Sequence, residues 1–236
     1  SPFRLLSKLI NRLEDSDTGK IDLENLNVEI PDERKVQALE MVECLGNWEE
    51  EFPWYGNTKP STSDSYESML NRTWRPTMTV IGIDGIPPIK DGGNVLLPFS
   101  AANLSFRLPP TADSKKAMQE VEKTLLSDPP NSCEVSIKWE KAANGWNAPS
   151  CKPWLNDAIN ESSKEIFGKP ARAMGEGGTI PFMGMLGERY PQAQFVITGV
   201  LGPNSNAHGP NEFIHIPFAK RLNTCIALIL SNYQKN

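Results

Sequence analysis

Phe195-Val196-Ile197-Thr198-Gly199-Val200-Leu201 runs on through Gly202-Pro203-Asn204-Ser205-Asn206-Ala207-His208-Gly209-Pro210-Asn211-Glu212, passing from an apolar stretch into a polar loop braced by glycine and proline. A near-continuous apolar run bounded by turn residues reads as a strand buried on both faces, the pattern of a sheet covered by helices. Helical patterns flank it. Leu155 to Phe167 is closed by Gly168 at its C-terminus. Gly175-Glu176-Gly177-Gly178 is a tight turn into Thr179-Ile180-Pro181 and a further helix, and Phe218 to Leu230 repeats Ala219, Leu222, Ile226 and Ile229 on one face. Helix, glycine turn, helix, buried strand, loop and helix make one edge of an α/β sandwich. Too few strands remain for a complete one.

Before residue 150 the patterning differs. Ser1 and Pro2 open a helix carrying Leu5, Leu6, Leu9, Ile10 and Leu13, and Asp32 to Leu45 reads as a second, with Val36, Leu39, Met41 and Val42 apolar. Arg75 to Gly82 and Asn103 to Leu108 alternate as strands, and Ala112 to Leu126 is a helix with Ala117, Val121 and Leu125 on one face. Cys133 to Trp139 alternates again. This order predicts a small α+β layer, one sheet covered by helices on one side. The Gly-, Asn- and Pro-rich stretch from Ala142 to Pro153 places a boundary between a domain of residues 1–142 and a second of 150–236.

Composition narrows the partners. The 236 residues carry a net charge of −5, from 24 basic and 29 acidic side chains, which argues against a nucleic-acid surface. No apolar run approaches the ~20 residues of a membrane span. Four cysteines without C-x-x-C spacing read as ordinary thiols and point to a reducing, cytoplasmic compartment. The chain opens on Ser1-Pro2-Phe3 without an initiator methionine, so no targeting segment can be argued from it.

Three features could carry chemistry. His208 lies beyond the carboxyl end of a predicted strand, where α/β sheets bind ligands, and a neutral imidazole is a common zinc ligand. A lone loop histidine is equally at home as a hydrogen-bonded surface residue, and His215, too far away for H-x-x-x-H spacing, reads as structural. The turn Gly175 to Pro181 would let backbone N–H groups and a helix N-terminus approach a carboxylate, although ordinary turns are also glycine-rich. Asn94 and Arg107 stand at opposite ends of a strand-turn-strand unit. Asn94 offers an amide to a polarised carbonyl, and Arg107 a planar fork to a carboxylate, where a solvated charge is the alternative.

Taken together, these segments resemble the M20, carnosinase-like family of zinc peptidases. Gly175 to Pro181 is similar to that family's R-E-G-G-S-I-P segment, and Ala207-His208-Gly209-Pro210-Asn211-Glu212 to its A-H-S-x-N-E loop. Leu104-Ser105-Phe106-Arg107-Leu108-Pro109 resembles F-S-I-R-L-V-P, Thr73-Trp74-Arg75-Pro76 resembles a segment ahead of it, and Asn94 precedes Arg107 at the family's separation. The resemblance implies a dinuclear zinc hydrolase that cleaves dipeptides or other amide-linked amino acids, with a lid domain, inserted in the catalytic domain, that makes a homodimer. His208 would be the last zinc ligand. Arg107, Thr179 and the Gly178 backbone would hold the substrate carboxylate, and Asn94 would contact the substrate carbonyl. Residues 1–142 match the lid, and 150–236 the final part of an α/β three-layer catalytic domain. Two positions depart from the motif: Gly175 stands for its arginine and Thr179 for its serine.

The family's H-x-D motif, bridging aspartate, paired glutamates and lid histidine are expected before residue 1. No catalytic group is therefore expected within this chain, which should be inactive alone. The alternative reading is a non-catalytic dimerisation or binding module, and the upstream sequence discriminates between the two.

Overall fold

The computed structural model describes residues 1–176, 181–202 and 204–233, apart from the Glu51 side chain. Seven α-helices and one two-stranded antiparallel sheet are present among the described residues. The chain divides into two compact units. One comprises Ser1–Asn147 with Met174–Met185, the other Ala148–Ala173 with Leu186–Asn236.

In the first unit, helices α1 (Pro2–Ile10), α2 (Asp32–Leu45) and α3 (Ser65–Thr73) precede the hairpin, and α4 (Ser114–Leu126) follows it. Strand β1 (Thr77–Asp84) pairs with β2 (Ala101–Arg107), from Thr77 opposite Arg107 to Asp84 opposite Ala101, with an irregularity between Val80 and Gly82. Alternation in β2 sends Leu104 and Phe106 to one face. There they meet Met78, Leu108, Trp139 and the Ala117–Val121–Leu125 stripe of α4, over a buried floor of Leu13, Ile21 and Leu26. The helix-covered sheet anticipated from the alternation is thus built from two strands. Cys133 to Trp139 keeps the expected alternation of half-buried and exposed side chains but joins no ladder.

Side chains fix the ends of these elements. The Asp113 carboxylate accepts from the Lys115 and Lys116 amides at the start of α4, and Asp64 does the same for α3. Arg12 donates at 2.7 Å to each of the Ser127 and Asp128 carbonyls just beyond α4. A second core gathers Ala38 of α2, Trp48, and Met69 and Leu70 of α3, with Met41, Val42 and Met174 against it. Within α2 the buried residue is Ala38, whereas Val36 and Leu39 of the expected apolar set are exposed. The helix is apolar on several sides, so periodicity alone does not select its buried face.

In the second unit, α5 (Pro153–Phe167) lies along α7 (Ile216–Tyr233). Trp154 stacks near Tyr233 and Phe167 near Phe218, each pair 5.3 Å apart, so the two helices run antiparallel. The Cys225 thiol donates to the Ser162 carbonyl between them, and burial pushes that thiol's pKa up. Gly168 ends α5 at φ 74°, the left-handed cap expected of it. Helix α6 (Pro181–Arg189) lies between α5 and α7 in the chain. The predicted strand at 195–201 differs from expectation. It pairs with no strand among the described residues, and Ile197 is 60% exposed. An apolar segment of this kind is covered on both faces only where strands flank it, and the described residues supply no flanking strand.

Candidate functional site

Arg107 is the last residue of β2 and faces away from the apolar layer, exposed at the root of the hairpin. Its partner across the sheet, Thr77, follows Thr73 by only Trp74, Arg75 and Pro76. That connection is rigidly held. Arg75 donates at 2.6 Å to both Glu67 and Asn71, Trp74 is buried, and the Thr73 hydroxyl donates at 2.7 Å to the Met69 carbonyl. Gly175 packs on Thr73: a Cβ added there would lie 3.1 Å from the Thr73 Cβ. The entry to the glycine turn and the base of Arg107 thus share one foundation, the C-terminal end of α3. Gly178 and Thr179, assigned to the same carboxylate site, lie outside the described residues.

Asn94 is placed elsewhere. It lies exposed in the connection between β1 and β2, past the Asp84–Ala101 end of the ladder. β2 carries the chain roughly 20 Å from the Ala101 end of the ladder to Arg107, seven residues at ~3.3 Å each.

His208 belongs to the second unit, in a loop whose shape is set locally. The Ser205 amide and hydroxyl donate to the Gly202 carbonyl, the Gly209 amide to the Asn206 carbonyl, and the Asn206 carboxamide to the Pro210 carbonyl. Asn204, Asn206, His208 and Asn211 all adopt left-handed backbone, His208 at φ 61°. Asparagine tolerates that region through local hydrogen bonds, whereas histidine does so less readily. The Glu212 carboxylate accepts from the His208 amide at 3.2 Å, so the glutamate of this motif braces the loop. Nothing in its spacing had given it that task. The imidazole is exposed. His215 has a structural role: its Nδ1 accepts from the Phe218 amide in the first turn of α7.

As a zinc donor, His208 has the right chemistry. Among the described residues, no group of three or more His, Cys, Asp or Glu side chains converges as metal ligands would. No helix among the described residues is long and apolar enough to cross a membrane.

Residues 20–232 match peptidase family M20/M25/M40. With more than half of its length covered by that match, the chain belongs to this family of hydrolases. Among individual relatives, a cysteinylglycine-S-conjugate dipeptidase of Corynebacterium striatum is 27% identical over 156 residues, 62% of this chain and 33% of the relative. The dipeptidase Dug1p of Saccharomyces cerevisiae superposes with a TM-score of 0.72 at 18% identity, over 100% of this chain and 49% of that one. Human carnosine dipeptidase 1 gives 0.70 at 19%, over 99% and 50%. The M20 metallo-carboxypeptidase Sso-CP2 of Sulfolobus solfataricus gives 0.66 at 22%, over 97% and 52%. These structures share the chain's mixed α/β fold, and the chain spans about half the length of each.

Proposed function

We propose that this chain is the lid, residues 1–142, and the final part of the catalytic domain, residues 150–236, of a dinuclear zinc dipeptidase. The observation that carries this reading is the placement of Arg107 on the same foundation as the turn that begins at Gly175. A guanidinium fork would suit the free carboxylate of a small peptide. Arg107 would bind and orient that carboxylate together with Thr179 and the Gly178 backbone. His208 would be one zinc ligand, and bound zinc would supply Lewis acidity and an activated water. By itself the chain is proposed to be inactive, because one imidazole does not retain the metal.

Homodimerisation through the lid belongs to the same reading, and Asn94 stands in the connection at the opposite end of β2 from Arg107. A second copy would bring its Asn94 to the carbonyl that the first copy's Arg107 orients. Four free cysteines suit a reducing, cytoplasmic setting.

The test is Arg107→Ala in the zinc-loaded enzyme that carries this chain, assayed on unblocked dipeptides. Loss of the carboxylate anchor should cost ~2–4 kcal/mol of transition-state binding, read as lowered kcat/KM. The same substitution should leave C-terminally amidated substrates far less affected. Unchanged kcat/KM on free dipeptides removes the assignment.

A further inference from the structure

We infer that Thr73 and Gly175 are a coupled positioning pair that sets the glycine turn against α3. The functional consequence rests on the dipeptidase reading, whereas the contact itself does not. The buried face of α3 presents Met69, Leu70 and Thr73. Met174 packs in the cluster built on Met69 and Leu70, and the next residue, Gly175, falls on Thr73. There a Cβ would stand 3.1 Å from the Thr73 Cβ and 3.3 Å from its Cγ2, closer than ordinary van der Waals contact.

Thr73 is not free to yield. It is 8% exposed, and its hydroxyl is committed at 2.7 Å to the Met69 carbonyl. Rotating the side chain to make room would break that bond inside a packed site. A Cβ at this position would therefore need Thr73 to give by a few tenths of an ångström, which its bond and burial oppose, and this gives a physical reason for glycine where the related motif carries arginine. The close approach also fixes a distance. Thr73 stands four residues before Thr77, which faces Arg107, so the pair sets how far the entry of the turn lies from the hairpin root.

Gly175 does not have left-handed φ. Ala at a compatible glycine position ordinarily stabilises slightly, by restricting the unfolded chain. A loss on Gly175→Ala would therefore report the contact. Thr73→Ser keeps the hydroxyl and its bond but removes the methyl group.

The experiment is a double-mutant cycle with Gly175→Ala and Thr73→Ser. Thermal unfolding is measured on this chain, and dipeptide kinetics on the enzyme that carries it. Gly175→Ala should lower Tm by several degrees and raise KM about 5- to 20-fold, with kcat within about twofold. Thr73→Ser alone should change either little, and in the double variant, where the 3.3 Å methyl contact is gone but the 3.1 Å approach to Cβ remains, should recover part of both losses. Strictly additive Tm effects, or a Gly175→Ala variant as stable as the parent, overturn the pair. Coupled Tm values with an unchanged KM overturn its positioning role. A parent enzyme that turns over no dipeptide overturns the peptidase reading, and the unfolding cycle then still decides the pair.

Discussion

Replacing Ile83 by lysine tests whether two copies associate through the hairpin. β1 pairs with β2 along one edge, and no strand among the described residues covers the other. Around that edge Ile81, Ile83, Ile86, Ile89, Val95, Leu96 and Phe99 are all exposed, with Ile83 at 54%. So large an apolar patch on one hairpin is what a protein interface looks like from one side. A half-exposed isoleucine offers on the order of 100 Å² of apolar surface, worth about 2.5 kcal/mol when covered. In a two-fold dimer the substitution enters twice, so about 5 kcal/mol is lost, a rise of roughly 10³- to 10⁴-fold in the dimer Kd. A lysine on an edge strand also opposes pairing by its charge. Sedimentation equilibrium across a concentration series reads this directly. Ile197→Lys is the matched control, because Ile197 is as exposed but sits in the other unit. A parent chain that dimerises, an Ile83→Lys variant that does not and an Ile197→Lys variant that does are the expected results. If Ile197→Lys is the variant that dissociates, or Ile83→Lys still dimerises, the hairpin is not the interface.

Two further outcomes concern stability and titration. Leu26 has 0% exposure in the layer beneath the hairpin, so Leu26→Ala should cost about 3–4 kcal/mol, and a loss below about 1 kcal/mol in chemical denaturation would mean that the layer is not packed as described. The Thr18 hydroxyl and amide hold the Asp15 carboxyl below the ordinary carboxylate range, so the stability from this turn is present above that range and lost as pH falls through Asp15's lowered value. Thr18→Ala should move Asp15 back upward in an NMR titration, and an unmoved carboxyl would deny the hydroxyl its role.

Local rules carried much of the fold, because caps and periodicity act within a few residues. Helix α2 has the bounds its pattern predicts, Gly168 is the left-handed cap of α5, and the alternation of Leu104, Phe106 and Leu108 identifies the buried face of β2. The failures share a cause. Burial of 195–201 and the buried face of α2 both depend on what lies across from them, which no local pattern specifies. The candidate site divides in the same way. Placement of Arg107 at the end of β2 is legible, since alternation bounds the strand. Contact between Thr73 and Gly175 is not, because it joins segments far apart in the chain through close packing rather than through residue type.

The loop at His208 shows how far short-range hydrogen bonds can fix a local shape. Among the described residues, the hydrogen bonds that shape it lie within residues 202–213, from Ser205 on the Gly202 carbonyl to the Phe213 amide on the Ser205 carbonyl. Its form therefore does not wait on the covering of the apolar run before it. Holding a non-glycine residue in left-handed backbone costs roughly 1–2 kcal/mol, a cost glycine at the same position would not carry.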